Sequence, residues 1–333
     1  MTASVRDVAA AAGVSVGTVS NVLNAPDKVS PATAERVHAA IARLGFVRND
    51  AARQLRAGRS LAIGMVVLDL RNPFFTDVAR GAEDRAAERG LSVFVANSDE
   101  HVEREQSALE LFEQQRVSGV LVTPIAEDLP VLRRMRDRGT PVVLVDREAQ
   151  EGGFASVAVD DVEGGRLAAQ HLLSLGRRRL GLVGGPTTLR QVADRLGGAQ
   201  QAVAAVADAT LEFIGTAGLT VDEGRAAGER IARRAPAKRP DAIFAANDLV
   251  ALGLLQGFVM AGAVHVPDDI ALIGYDDIDF AAAAVVPLTS IRQPAELIGS
   301  TAVDLLLAGA DGQDADTHVL FRPELVVRAS TTN

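Results

Sequence analysis

The chain has 333 residues, which is enough for two or three domains, and its formal net charge is −9. It contains no cysteine, which excludes disulfides, thiolate nucleophiles and cysteine-bound zinc. We find no apolar run as long as a membrane span and no charged-then-apolar leader before the first predicted helix. We therefore expect a cytoplasmic protein, in the nucleoid if it binds DNA, without membrane contact.

Charge is distributed unevenly along the chain. Residues 1–60 hold eight Lys/Arg and four Asp/Glu, a balance of +4, whereas the remainder carries −13. A basic head on an acidic body is expected when only the head meets nucleic acid. Chance drift in composition is the alternative explanation for a difference of this size.

The head is predicted to contain three short helices. Apolar residues recur at helical spacing in three segments, and Gly13 separates the first two. A serine that can cap a helix precedes each segment, at Ser4, Ser15 and Ser30. Two short helices joined by a glycine turn and braced by a third make a helix-turn-helix. A small bundle that serves only for packing is the alternative interpretation.

The outer face of the second predicted helix favours DNA binding. It presents small, polar or conformationally permissive residues, which suit a helix that enters the major groove and reads base edges or phosphates. These residues are Gly17, Thr18, Ser20, Asn21 and Asn24.

Beyond a linker at 57–60, short Val/Ile/Leu-rich strands alternate with amphipathic helices, which predicts an α/β body with parallel sheets. Roughly ten strands are too many for one sheet, so we expect two lobes. The strands are predicted at 61–70, 91–97, 119–124, 141–146, 156–160, 179–185, 211–215, 241–247, 270–277, 288–293 and 318–328. The helices are predicted at about 76–89, 102–115, 129–138, 162–175, 189–207, 221–234 and 249–261, with a last one ending near 307.

Polar side chains follow many of these strands. Ligands of doubly wound sheets bind beyond the carboxyl ends of the strands, so several such residues can converge on one crevice. A single Asp after a strand is usually a turn or cap residue, and Asp160 or Asp161 would also serve as a helix cap. The predicted ligand-binding residues are Asp69, Asn72, Phe74, Phe75, Asp146, Asp160, Asn247, Asp276 and Gln293.

The head segments DVAAAAGVSVGTVSNVLN, VSPATAERVHAAIARLGF and RNDAARQLR closely resemble the lactose-repressor (LacI/GalR) family of bacterial transcription regulators. The resemblance implies that Val16, Gly17 and Asn21 meet bases, with readout resting heavily on Asn21. We count Ser15 and Ser30 among the predicted DNA contacts as well.

The resemblance also implies a hinge helix at about Asp50 to Ala57, with Leu55 wedged into the minor groove. The family usually has proline before the asparagine of this hinge, whereas this chain has Arg48 before Asn49. Asn49 and Leu55 complete the predicted DNA contacts. The implied domains are a helix-turn-helix at 1–48, a hinge and linker at 49–60, and an effector-binding and dimerisation domain at 61–333.

The resemblance continues through the body, which is similar to periplasmic binding proteins with two doubly wound lobes. Lobe one would hold about 61–160 and 290–320, and lobe two about 161–289 and 321–330. The motifs NPFF, VADRLGG, AND, GYDD and IRQP match effector-site landmarks of the family. They imply that Arg195, Asn247 and Asp276 hydrogen-bond the effector. Asp146 would lie near the hinge, a phenylalanine would pack on the ligand, and Gln293 would approach from a crossover.

The expected protein is a ligand-controlled repressor that binds a palindromic operator as a homodimer, without a cofactor. A guanidinium beside carboxylates suits neighbouring hydroxyls or an acidic group, so a sugar is the first expectation and a purine or nucleoside the second. A binding protein without DNA function and an α/β enzyme are the alternatives. The histidines are scattered without metal-ligand spacing, and no phosphate-binding or dinucleotide fingerprint is present, which speaks against an enzyme.

Overall fold

A computed structural model describes residues 3–46, 60–126, 129–149, 153–310 and 317–332. The chain divides into two compact units, Met1–Arg59 and Ser60–Asn333. The second unit contains both α/β lobes.

The first unit is a three-helix head, as predicted. Its helices are α1 (Val5–Ala12), α2 (Val16–Asn24) and α3 (Pro31–Leu44), with a short 3-10 turn at Pro26–Lys28. Ser4 and Asp7 form a capping box at the start of α1, and Gly13 ends this helix in the left-handed conformation, with φ 66°. The apolar faces meet in one small core, whose buried members are Val8, Ala9, Ala12, Val19, Val22, Val37 and Ala40.

The second unit alternates strands and helices as the sequence predicts. The strands are β1 (Ala62–Val67), β2 (Ser92–Asn97), β3 (Val120–Val122), β4 (Val142–Val145), β5 (Ala155–Val159), β6 (Arg179–Gly184), β7 (Thr210–Gly215), β8 (Ala242–Ala245), β9 (Ala271–Asp276), β10 (Thr289–Arg292), β11 (His318–Phe321) and β12 (Glu324–Val326). The helices are α4 (Pro73–Ala87), α5 (Val102–Gln114), α6 (Pro130–Asp137), α7 (Asp161–Ser174), α8 (Arg190–Ala204), α9 (Val221–Ala232), α10 (Asp248–Ala261), α11 (Asp279–Ala283) and α12 (Ala295–Ala310).

The strands form two six-stranded sheets, one in each lobe. The order is β11-β5-β4-β3-β1-β2 in lobe one and β12-β10-β9-β8-β6-β7 in lobe two. All pairings are parallel except that of β12 with β10. The central strands are fully buried, as their continuous apolar runs predict, whereas the edge strands β2 and β7 are largely exposed.

Within the described residues the chain passes between the lobes three times: after β5, between β10 and α12, and between β11 and β12. The second crossing lies after Arg292 and not near 290, because β10 pairs with β9 of lobe two. The third follows Phe321, which pairs with Val159 of lobe one, whereas we expected lobe two to resume at 321. These pairings correct the lobe boundaries by a few residues.

Close packing of α7 on α8 places two side chains of the ligand site. A Cβ at Gly165 would lie 2.0 Å from the carbonyl oxygen of Arg195, and one at Gly198 would lie 1.9 Å from the carbonyl oxygen of Val162. The two helices can approach this closely only because these positions are glycines. The approach brings Asp161, at the start of α7, within reach of Arg195 on α8.

Candidate functional site

Helix α2 carries a polar surface that is held by its own cap. The Ser15 hydroxyl accepts a hydrogen bond from the Thr18 backbone N–H at 3.0 Å and contacts the Thr18 hydroxyl at 2.9 Å. Val19 and Val22 point inward, so Val16, Gly17 and Asn21 lie exposed on the opposite side. Of the face that the sequence predicts for DNA contact, these three residues are accessible, and Thr18 and Ser20 are half-buried.

The other predicted DNA contacts of the head differ in accessibility. Asn24 is exposed, but its amide nitrogen donates to the Ser20 carbonyl at 2.8 Å and to the Ser20 hydroxyl at 3.2 Å. Ser30 precedes α3, where its hydroxyl donates to the Thr33 hydroxyl at 2.9 Å rather than capping the helix. Asn49 and Leu55, like the predicted hinge helix, lie outside the described residues.

The second site is a cleft between the lobes, at the carboxyl ends of the strands. Its cavity has a volume of about 30 Å³, room for roughly one or two water molecules, and hydrogen bonds from Asn72 to Asp276 and from Gln191 to Asp146 join the lobes across it. Seven of the predicted ligand-binding residues line it together with Arg195. The lining residues are Leu68, Asp69, Asn72, Phe74, Phe75, Glu100, Asp146, Leu189, Gln191, Arg195, Leu219, Asn247 and Asp276.

Asp276 of lobe two contacts both lobe one and the segment that crosses between the lobes after β10. Its carboxylate accepts one hydrogen bond from the Asn72 amide of lobe one and another from the Gln293 amide, both at 2.8 Å. Burial raises the pKa of Asp276 to about 6, against the opposing effect of Arg195. Its backbone has φ 104°, a left-handed conformation that costs about 1–3 kcal/mol and is typical of functional positions.

Asp146, in lobe one, forms a second hydrogen-bonded contact between the lobes. Gln191 of lobe two donates from its amide nitrogen to the Asp146 carboxylate at 2.9 Å and to the Asp146 carbonyl at 3.1 Å. The second carboxylate oxygen, Oδ1, is buried and accepts no hydrogen bond from the described residues. Burial, reinforced by the nearby Asp161, raises the pKa of Asp146 to about 8. Buried polar atoms without a partner are uncommon in folded proteins, so this oxygen is available to a polar group that enters the cleft.

Arg195 is the cation of the cleft, and other groups hold it in place. Its Nε donates to the Asp161 carboxylate at 2.8 Å, and Nη1 donates to the Ala246 carbonyl at 2.7 Å. Its guanidinium lies over the Tyr275 ring, 3.6 Å from the centroid. Burial lowers the pKa of Arg195, but the surrounding acidic groups, Asp161 foremost, outweigh this effect and raise it overall.

Asp160 is the N-cap of α7, since its carboxylate accepts a hydrogen bond from the Glu163 backbone N–H at 2.8 Å. It lines a second pocket that adjoins the cleft and shares Asp146 and Gln191 with it. The next residue, Asp161, is buried and pairs with Arg195. At this junction the side chain of the cap residue, Asp160, faces the end of the helix, whereas the side chain of the first helical residue, Asp161, turns inward.

Asn247 and Asp69 line the cleft as predicted, but both already have partners. Asn247 caps α10 by accepting from the Val250 N–H at 2.9 Å and donates to the Leu219 carbonyl at 3.2 Å. Asp69 accepts from the Arg71 guanidinium at 2.9 Å. The two phenylalanines lie edge to face, with ring centroids 5.0 Å apart and planes at 69°.

Sequence reasoning missed three polar residues around the cleft: Glu100, Asp161 and Gln191. Glu100 lies three residues beyond β2 and directly follows Asp99, and the sequence gives no sign of which of the two carboxylates turns inward. Gln191 lies in the first turn of α8, four residues before Arg195, and this helical spacing was the available signal.

The described residues contain no group of three or more His, Cys, Asp or Glu side chains that could hold a metal ion. A search of the same residues finds no helix that is long and apolar enough to cross a membrane.

Comparison with known proteins decides the family. Residues 4–49 match the model described as bacterial regulatory proteins, lacI family, and residues 169–331 match a periplasmic binding protein-like domain. The chain is 35% identical to the ribose operon repressor of Bacillus subtilis, over 99% of this chain and 98% of that protein. The chain belongs to the lacI family of bacterial regulatory proteins.

Two further similarities extend over the full length of this lacI-family chain. It is 33% identical to the transcriptional repressor PurR of Photobacterium profundum, over 98% of both chains. A structure of the Lac repressor dimer bound to operator and the anti-inducer ONPF matches it with a TM-score of 0.85 and 29% identity, over 100% of both chains. The chain is therefore a ligand-controlled DNA-binding transcription regulator and not an enzyme, and its head and two-lobed body confirm the predicted fold class.

Proposed function

We propose that this regulator represses a sugar-catabolic operon, and that its effector is a monosaccharide of the size of ribose. The observation that carries the proposal is the closed cleft, in which buried carboxylates and amides face each other across the lobes. Such groups suit the paired hydroxyls of a sugar, which can both donate and accept. The relative named ribose operon repressor supports the same ligand class.

The size and shape of the cleft favour a small sugar over a disaccharide or a purine. The closed cavity of about 30 Å³ must open to admit any sugar, and a smaller ligand requires less opening. Phe74 and Phe75 meet edge to face, so they do not form parallel plates that could sandwich a flat base. A purine is the second candidate, because the chain also resembles PurR over its full length.

On the DNA side, we propose that two copies of the chain bind a near-palindromic operator. Exposed Val16, Gly17 and Asn21 would contact base edges, and Asn21 is the one of the three whose side chain can hydrogen-bond an adenine. Two-fold symmetry would place two copies of α2 in successive major grooves. We propose the hinge role of Asn49 and Leu55 from the sequence, and the cytoplasm, at the nucleoid, as the location.

Two measurements test these proposals. Selection of genomic fragments by the purified full chain, followed by sequencing, should enrich a short palindrome beside sugar-catabolic genes. Calorimetric titration should show binding of D-ribose and no binding of cellobiose or hypoxanthine. If hypoxanthine binds and D-ribose does not, the effector is a purine and not a sugar. If no genomic fragment is enriched even at low salt, the proposal that the chain binds an operator is contradicted.

A further inference from the structure

The charges that line the cleft are strongly unbalanced. Among the described lining residues, Asp69, Glu100, Asp146 and Asp276 carry carboxylates, whereas Arg195 alone carries a cation. Proton uptake offsets part of this charge, because burial raises the pKa of Asp146 to about 8, but it does not reverse the sign.

The one cation is not available to neutralise an anionic ligand. Arg195 is engaged by the Asp161 carboxylate, by the Ala246 carbonyl and by the Tyr275 ring. An anion that displaced Asp161 would leave a buried carboxylate unpaired, which is costly. Arg71, near the cleft, already contacts the carboxylates of Asp69 and Asp99.

Glu100 places a negative charge where the two lobes meet. Its carboxylate is half-buried and, among the described residues, accepts no hydrogen bond and forms no ion pair. Its Oε2 lies 3.9 Å from the position that a Cβ at Gly218 would occupy, so it reaches from lobe one to the lobe-two loop that precedes α9. Glu100 has φ 59°, so the left-handed backbone seen at Asp146 and Asp276 recurs here.

From this geometry we infer that the cleft selects an uncharged effector and rejects its phosphate ester, and that Glu100 is a specificity-determining residue for this choice. Specificity of this kind rests on a repulsive group placed against the unwanted ligand. Like charges brought together at an interface cost several kcal/mol, and the described residues that line the cleft include no free cation to offset them. The inference rests on the proposed sugar effector and narrows it to the free sugar.

The test compares two pairs of ligands on the full chain at pH 8: D-ribose with D-ribose 5-phosphate, and adenosine with adenosine 5′-monophosphate. We expect D-ribose 5-phosphate to bind at least about a hundredfold more weakly than D-ribose, and the adenosine pair makes the same comparison for a nucleoside effector. In Glu100→Gln the ratio of the two dissociation constants should fall by about tenfold, because one repulsive charge is removed. Glu103→Gln, an exposed glutamate on α5 outside the cleft, is the matched control and should keep the wild-type ratio.

Two results would contradict the inference that the cleft rejects phosphate esters through Glu100. One is binding of a phosphate ester as tight as that of its free partner. The other is an unchanged ratio in Glu100→Gln, which would remove Glu100 from the explanation. A different pattern would contradict the proposed function instead: adenosine binds, D-ribose does not, and the monophosphate is still rejected. In that case the charge selection holds for a nucleoside effector.

Discussion

The recognition helix and the cleft use polar side chains in opposite ways. On α2 Gly17 and Asn21 are exposed, and the Asn21 side chain has no hydrogen bond to another described residue. In the cleft the polar residues are buried and already paired, as in Asn72–Asp276 and Gln191–Asp146. In our proposal, DNA meets side chains on α2 that are already exposed, whereas an effector in the cleft has to replace hydrogen bonds that the protein makes with itself. This replacement is how a ligand can shift the balance between open and closed lobes.

Removal of the buried cation should give the largest effect. Arg195→Met leaves Asp161 buried without its partner, so we expect the free energy of unfolding of the body to fall by about 3–5 kcal/mol in urea denaturation. The double variant Arg195→Met/Asp161→Asn should recover much of this loss. Arg190→Met, on the same helix in a half-exposed pair with Asp194, should cost less than about 1 kcal/mol. Equal losses for both arginines would refute the buried-pair account.

Loss of the exposed amide on α2 should come next. Asn21→Ala removes a base contact in each half-site, each worth about 1–3 kcal/mol, so operator affinity should fall by at least about thirtyfold while the stability of the head is unchanged. An electrophoretic mobility shift assay with the selected operator would measure the loss of affinity. His38→Gln, an exposed substitution on α3, serves as the control. An equal loss of affinity for the operator and for nonspecific DNA would show that Asn21 contacts phosphate and not bases.

A smaller effect should appear with pH. Burial raises the pKa of Asp146 to about 8 in the folded chain, so the folded state binds a proton that the unfolded state releases. The free energy of unfolding therefore falls as the pH rises towards 8, because the unfolded state gains from releasing this proton. Above about pH 8 Asp146 is ionised in both states, and its contribution no longer changes with pH. Between pH 7 and 9 the wild type should lose about 1.4 kcal/mol more than Asp146→Asn, by chemical denaturation.

The control for the pH dependence is Asp208→Asn, at an exposed position between α8 and β7. It should follow the wild-type dependence on pH. If Asp146→Asn also follows the wild type, the proton is not on Asp146.

The sequence predicts the lobes and most of the cleft because both depend on local patterns. Continuous apolar strands predicted the buried sheets, and strand-end residues such as Asp146, Asn247 and Asp276 line the cleft as expected. The choice between Asp160 and Asp161 depends on where α7 begins, to within one residue, and pattern reasoning cannot resolve that. Glu100 and Gln191 face the cleft because of how the lobes approach each other, a long-range property. The crossing after Arg292 depends likewise on strand pairing.

Operator affinity with and without D-ribose tests the central claim most directly, since the claim is that the cleft and the DNA-binding head are coupled. Saturating D-ribose should change the operator dissociation constant of the wild-type chain by at least about tenfold. The same sugar should have no effect on Arg195→Met, measured below its unfolding transition. If D-ribose binds the wild type and leaves operator affinity unchanged, the cleft does not control DNA binding and the account is wrong.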